Sequence, residues 1–302
     1  MSYASETKRI ITSKSAGSWC CNVSELCALI CFGATYKNGR LTIKSETEEV
    51  FNRLLELCDE ALNILNQKIT IPEREGQRYI FTLKDHDEIA RLCDFFGFPF
   101  DGKNIIFSPD KDIYESDCCK VSFIRGAYIM AGSVSNPEKN YHLEFVTKHA
   151  KSADLLYELL AEANIASKLT VRKNNFVVYI KEFEAIAEIM GLLGAGNMMM
   201  DLYNIKIERE IRNNINRVVN CDNANIKKIT SAAEAHVNAI NKIIAANALD
   251  KLSDTLKEIA VLRLENPDLS LTELGMLLDP PIGKSGVNHR LARLVEISKN
   301  YE

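Results

Sequence analysis

Short stretches in which apolar and polar residues alternate, each followed by a run with three- to four-residue apolar spacing, recur through the first two thirds of the chain. GRLTIKSETEEVFNRLLELC (39–58) and YHLEFVTKHAKSADLLYELL (141–160) both pass from an alternating strand, through a polar Thr or Ser, into an amphipathic helix. RYIFTLKDHDEIARLCDFFG (78–97) lines up in the same way with NFVVYIKEFEAIAEIMGLLG (175–194). A helix rich in small residues precedes each copy, ELCALICFGAT (25–35) and FIRGAYIMAGS (123–133). The pattern predicts helix, strand, strand, helix, strand, strand, helix, made twice over about 100 residues each, with two halves packed around a pseudo-two-fold axis.

Local signals predict where these elements begin and end. Ser24–Ala34 reads as a helix capped by Ser24. Asn38-Gly39 predicts a tight hairpin, and Ser45 with Glu48 reads as a capping box opening a helix. A second hairpin is expected at Glu75-Gly76, between KITIPERE and RYIFTLK. Gly97 and, in the second copy, Gly194 stand where helices should stop. In the second copy Asn136–Asn140 and Arg172–Asn175 replace the two hairpin turns.

From residue 205 onward no strand pattern remains. IKIEREIRNNINRVVN (205–220) has apolar residues at 207, 211, 215 and 218–219, with Arg209, Arg212, Asn213, Asn216 and Arg217 on its other face. That face is either a solvated helix surface or a set of donors for nucleic-acid phosphates. ANIKKITSAAEAHVNAINKIIAAN is a long helix or a pair, and LSDTLKEIAVLRLENP begins at Ser253 and stops before Pro267.

The last two helices have the layout of a helix-turn-helix. Ser270, with Glu273, caps a helix whose Leu271, Leu274 and Leu278 face inward, and Pro280-Pro281 ends it. Ser285 is the expected cap of the next, where Val287, Leu291 and Leu294 form an apolar stripe. At about 100° per residue that stripe turns Gly286, His289 and Arg293 to the opposite side, flanked by Ser285 and Arg290. A recognition helix needs this division, one face packed and the other offering donors to bases and phosphates. Lys284, Ser285, Asn288, His289, Arg290 and Arg293 are the candidate DNA contacts, and Gly286 would let the backbone come close. The competing reading is a helical hairpin that docks a protein.

Composition narrows the picture. The chain has 302 residues, 46% apolar and 26% charged, with net charge −4, which excludes a generally basic nucleic-acid coat. Residues 1–202 hold 23 Lys/Arg against 28 Asp/Glu, whereas 203–247 hold 7 against 4, so a modest basic excess sits where the helical third begins. No apolar run approaches the roughly 20 residues needed to cross a bilayer, nor does MSYASETKRIITSKSAGSW look like a signal peptide. A cytoplasmic, nucleoid location is therefore expected, and nine cysteines are most simply reduced thiols. Cys20, Cys21, Cys27 and Cys31 cluster and Cys118–Cys119 form a second pair, but CC-x5-C-x3-C is not a repeated C-x-x-C. Buried thiols are expected rather than ligands. No metal, cofactor or small-molecule site is expected.

VNCDNANIKK, LRLENPDLSLTELGMLLDPP and KSGVNHRLARL resemble the C-terminal helix-turn-helix of the WhiA proteins, bacterial transcription regulators. CCNVSELCALICFGAT, GRLTIKSE and FIRGAYIMAGSVSNPEKNYHLEF resemble the N-terminal part of the same family, so the resemblance spans almost the whole chain. It implies an α+β fold: a duplicated αββαββα domain related to LAGLIDADG homing endonucleases, then an all-α helix-turn-helix domain. It also implies roles in sporulation or cell-division genes. In LAGLIDADG nucleases an acidic residue at the C-terminal end of each small-residue helix holds divalent metal. Here those positions are Gly33 and Ala131, which cannot ligate a hard cation, so no catalytic residue and no nuclease activity are expected.

The expected layout is a first half at 1–110, a second half at 111–204, a linker helix at 205–223 and the helix-turn-helix domain at 224–302. The expected partners are double-stranded DNA and, for the net acidic first domain, a protein such as another transcription factor or RNA polymerase, with no membrane. The alternative is a nucleoid-associated or protein-binding scaffold that binds DNA with little selectivity.

Overall fold

The computed structural model describes residues 3–14, 17–62, 73–75 and 78–301, with the side chains of 62 and 73–75 left aside. Two compact units divide it, Met1–Glu208 and Arg209–Glu302.

In the first unit the order is α1 (Tyr3–Thr12), α2 (Trp19–Gly33), β1 (Ala34–Lys37), β2 (Arg40–Ser45), α3 (Glu48–Leu62), β3 (Glu73–Glu75), β4 (Arg78–Leu83) and α4 (His86–Phe96). It then repeats as α5 (Asp117–Ala131), β5 (Gly132–Val134), β6 (Leu143–Thr147), α6 (Ala150–Glu162), β7 (Lys168–Arg172), β8 (Asn175–Ile180) and α7 (Phe183–Leu192). Two four-stranded sheets result, ordered β1-β2-β4-β3 and β5-β6-β8-β7, with every pairing antiparallel.

Alternation sets which face each sheet buries. Leu41 and Ile43 pair with Leu83 and Phe81 in one sheet, and Leu143 and Phe145 with Ile180 and Val178 in the other; all eight are buried. Burying such a side chain stabilises by about 1.5–3 kcal/mol relative to leaving it in water. The turns follow their residues. Asn38 and Gly39, and Lys173 and Asn174, all have positive φ, as a two-residue hairpin matched to strand twist requires. Gly97 adopts the left-handed conformation (φ 69°) that closes α4, and Gly194 (φ 83°) follows α7. The hairpin turn expected at Glu75-Gly76 falls partly outside the described residues.

The centre of this unit is the pair α2–α5. Twelve of the fifteen residues of α2 are buried, including Ser24 and Glu25, and its exposure is concentrated in the first turn, at Trp19 and Cys20. That corrects its start: the helix begins at Trp19 with Ser18 at the N-cap position, and Ser24 is internal, its hydroxyl donating to the Cys119 carbonyl at 2.7 Å. Beyond that first turn the helix is buried on all sides and has no amphipathic period to mark where it starts. Ser45 is likewise corrected. It ends β2, and its hydroxyl bonds within the Ser45–Thr47 turn, while α3 begins at Glu48. The helices approach closely at Gly126, where a Cβ would lie 2.3 Å from the Glu25 carbonyl oxygen.

A single helix, α8 (Gly196–Ala245), runs for 50 residues. The segment 205–223, expected as a separate linker helix, is its middle. Its residues 211–232 are exposed on every face, including Ile211, Ile215, Val218 and Val219, the side that sequence spacing marked as apolar. The second unit continues with α9 (Asp254–Glu265), α10 (Leu271–Met276) and α11 (Lys284–Ser298). Its core joins Ile240 and Ile243 of α8 to Ile259, Ala260, Leu274, Leu278, Val287, Leu291 and Leu294.

Candidate nucleic-acid interface

Three local devices set the angle and spacing of α10 and α11. Ser270 and Glu273 form a reciprocal capping box: the Glu273 N–H donates to Ser270 Oγ at 3.3 Å and the Ser270 N–H to Glu273 Oε2 at 2.8 Å. These bonds from Ser270 hold the Glu273 carboxyl below its ordinary range. At the turn, the Ile282 N–H donates to the Gly275 carbonyl at 3.0 Å, and a Cβ on Gly275 would sit 2.2 Å from the Ile282 carbonyl oxygen. Only glycine allows that approach. The third device is Arg263, 2% exposed, whose Nη1 donates to the carbonyls of Leu269 (2.8 Å) and Pro267 (3.2 Å) and so fastens the end of α9 to the loop entering α10. Burial lowers its pKa. Neither Gly275 nor Arg263 was singled out from sequence, because each acts through backbone atoms that no side-chain pattern reveals.

The N-cap of α11 is Gly283 rather than Ser285, so Lys284 and Ser285 occupy the first turn, where backbone N–H groups lack helical partners. Val287, Leu291 and Leu294 are buried, as their spacing predicts. Lys284, Ser285, Asn288, His289 and Arg293 are exposed on the outer side. Two candidates already have acidic neighbours. Arg290 is partly buried with Nη1 3.9 Å from Glu258 Oε2, and Arg293 is hydrogen-bonded to Glu296 one turn on. Gly286 turns its missing Cβ toward the protein, since a methyl there would lie 3.1 Å from Ile282 Cδ1. Its small size therefore serves the turn rather than an outward approach.

On α8, Arg212, Asn213, Asn216 and Arg217 are exposed and Arg209 is partly buried; at helical spacing the five share one side.

In the first unit, α2 and α5 end at Gly33 and Ala131, with Ala131 lining an open cleft of about 850 Å³. The other lining residues include three cations, Lys8, Lys44 and Arg78, and one carboxylate, Glu46, paired with Arg78 at 3.4 Å. Lys8 comes from α1, a helix that sequence reading did not anticipate; burial lowers its pKa, and Glu46 opposes the shift. A cleft with this balance repels a divalent cation.

At the opposite ends of the same two helices, Cys20, Cys21, Cys118 and Cys119 bring their sulfur atoms within 4.8 Å of one another. Sequence spacing within one copy did not suggest this; the meeting needs both copies.

A duplicated αββαββα domain whose paired central helices end without an acid, at Gly33 and Ala131, joined to a helix-turn-helix, defines a class: a LAGLIDADG-like domain fused to a DNA-binding module. Two family models match, the WhiA LAGLIDADG-like domain over residues 35–97 and 120–212 and the WhiA C-terminal HTH domain over 215–298. The chain is 35% identical over 310 residues to the probable cell division protein WhiA of Alkaliphilus metalliredigens, covering 99% of this chain and 98% of that protein. The counterpart in Lachnospira eligens is 38% identical over 306 residues, covering 98% and 96%. The chain belongs to the WhiA family. In fold it is similar to the crystal structure of full-length DUF199/WhiA from Thermatoga maritima, with TM-score 0.61 and 23% identity over 100% of this chain and 99% of that one. It is similar also to the N-terminal LAGLIDADG domain of DUF199/WhiA, with TM-score 0.50 and 20% identity over 64% and 92%. The α+β fold with a LAGLIDADG-like first domain is thus as the sequence predicts. Among the described residues no helix is long and apolar enough to cross a membrane.

Proposed function

We propose that the chain is a sequence-specific transcription regulator that binds double-stranded DNA in the nucleoid and acts on cell-division or sporulation genes, with a first domain that does not cut DNA. The observation that carries this reading is the division of α11, with Val287, Leu291 and Leu294 buried and Lys284, Ser285, Asn288, His289 and Arg293 exposed beside its N-terminal turn. The curated relatives' names, which refer to cell division, favour that class of target genes. In this reading residues 224–302 read DNA, 205–223 add phosphate contacts through Arg209, Arg212, Asn213, Asn216 and Arg217, and the halves 1–110 and 111–204 contact another transcription factor or RNA polymerase.

The test is selection of bound duplexes from a random pool with the full chain at physiological salt. One enriched sequence is expected. Arg293→Ala should weaken binding by about 1–3 kcal/mol and relax one base position, as loss of a bidentate guanine contact does. The cationic cleft supports the absence of nuclease activity: supercoiled plasmid with Mg²⁺ should stay intact, and Mg²⁺-dependent cleavage that is lost in a cleft variant such as Lys8→Ala would refute that part.

A second reading, a weakly selective scaffold, draws on the acidic partners of Arg290 and Arg293, which leave fewer free donors for bases. It predicts similar affinity for unrelated duplexes and a steep fall with salt.

A further inference from the structure

The two small-residue helices open with the same residues. S-W-C-C-N-V-S (18–24) enters α2 and S-D-C-C-K-V-S (116–122) enters α5, so both vicinal cysteine pairs occupy the second and third positions of their helices. Because the two helices pack side by side, the pairs meet. All four sulfur atoms lie within 4.8 Å of one another, with Cys21 and Cys119 buried and Cys20 and Cys118 exposed.

That spacing suits one metal ion. A zinc–thiolate bond of about 2.3 Å gives sulfur–sulfur edges of about 3.8 Å in a regular tetrahedron, which these thiols reach with small rotations. A four-iron cluster fits less well, since its thiolates bind separate corners of a cube and stand farther apart. Tetrahedral all-sulfur coordination favours zinc among divalent ions.

Serine hydroxyls stand around the two pairs. Ser18 and Ser116 stand at N-cap positions, yet neither side chain caps its helix, and the Ser18 hydroxyl lies 3.2 Å from Cys20 Sγ. The buried Ser24 hydroxyl donates across the pair to the Cys119 carbonyl at 2.7 Å, and its counterpart Ser122 is likewise buried. The Ser24 bond fastens α2 to the first turn of α5. The two helix starts add favourable potential for negative sulfur. The remaining buried thiols, Cys27, Cys31, Cys58 and Cys93, lie deeper along α2 or in other helices and outside the cluster.

We propose that Cys20, Cys21, Cys118 and Cys119 bind one zinc ion as a tetrathiolate that clamps the N-terminal ends of α2 and α5, and with them the two halves of the first unit. The site is structural: with four protein ligands it leaves no position open for substrate.

Elemental analysis of the full chain, purified under reducing conditions without chelator, should find about one zinc per chain. Cobalt(II) added to the metal-stripped chain should give the strong visible bands of a tetrahedral tetrathiolate. Cys20→Ser with Cys118→Ser, which alters only the two exposed ligands, should reduce bound metal at least tenfold. Cys27→Ser, a control outside the cluster, should retain it. A strong chelator should lower the melting temperature of the unaltered chain by several degrees and leave the double variant's unchanged. The proposal is overturned if the reduced, unaltered chain binds neither zinc nor cobalt, if the double variant keeps its metal, if iron takes the place of zinc at the same stoichiometry, or if anaerobically prepared protein carries a disulfide among these four.

Discussion

The two halves of the first unit share one backbone plan and fill equivalent positions with opposite chemistry. In the first half Glu25 of α2 and Arg53 of α3 are buried and joined through a fork, Nε to Oε1 at 2.9 Å and Nη2 to Oε2 at 3.3 Å, with Arg125 Nη1 of α5 at 3.8 Å. Carrying each residue to its counterpart by the alignment of helices gives Phe123, Leu155 and Cys27, all buried and all apolar. The same space accepts an ion cluster on one side of the pseudo-axis and hydrocarbon on the other. A buried pair earns stability only if all of its charges are answered, so its presence marks a local solution rather than a demand of the fold.

The sharpest test of that comparison removes one charge. Glu25→Ala removes the carboxylate that answers the buried Arg53 and the partly buried Arg125, leaving Glu56 at 3.4 Å from Arg53, and should cost about 3–5 kcal/mol in urea unfolding. Replacing all three residues by their counterparts, Glu25→Phe with Arg53→Leu and Arg125→Cys, should recover most of the loss. A triple variant no more stable than the single one would break the equivalence.

A smaller contrast lies on the helix contact itself. Gly126 faces the Glu25 carbonyl and its counterpart is Ala28, which already carries a Cβ. Gly126→Ala should cost about 1–3 kcal/mol by overpacking, whereas Ala28→Gly should cost no more than about 1 kcal/mol.

Next come the helix caps. Asp85 accepts from the N–H groups of Asp87 (3.0 Å) and Glu88 (3.2 Å) at the start of α4, whereas its counterpart Glu182 makes no such bond at α7. Asp85→Ala should cost about 1 kcal/mol and Glu182→Ala close to nothing, read as the difference in urea midpoints.

The smallest effect depends on pH. His149 precedes α6, its Nε2 2.9 Å from the Ala34 carbonyl, and burial lowers its pKa below the ordinary 6.5, with the Ala34 bond opposing that shift. A depressed folded pKa means the unfolded chain takes up the proton first, so this residue's contribution is intact above about pH 6.5 and shrinks as pH falls. The counterpart of His149 is Thr47, which does not titrate. His149→Thr should flatten the acid side of the melting-temperature profile, and an unchanged slope would assign it to other groups.

What was legible in the sequence was local. The left-handed residues at Asn38-Gly39, Gly97 and Gly194, the capping box at Ser270 and Glu273, and the stripe Val287, Leu291 and Leu294 are each fixed by neighbours within a turn or two. The start of α2 was hidden because the helix beyond its first turn is buried on all faces and shows no period, and Ser24 looked like a cap while its hydroxyl serves another helix. Ser285 was likewise mistaken for the cap of α11 because polarity alone does not separate an N-cap from the first helical turn, where Gly283 precedes it. At the candidate DNA interface the exposed face was readable, but the carboxylates set against Arg290 and Arg293 were not: Glu258 is remote in sequence, and the Arg293–Glu296 pairing depends on side-chain rotamers that spacing alone does not fix. The thiol cluster escaped because its spacing exists between copies rather than within one.

In a symmetric dimer of identical single copies, every codon change on the axis-facing helix is expressed on both sides of the axis. Here α2 and α5 belong to one reading frame, so a mutation is written once and read once. A glutamate can then stand opposite a phenylalanine, where a dimer would have to accept two glutamates or none. Linking the halves in one chain separates their genetic fates while leaving their contact intact.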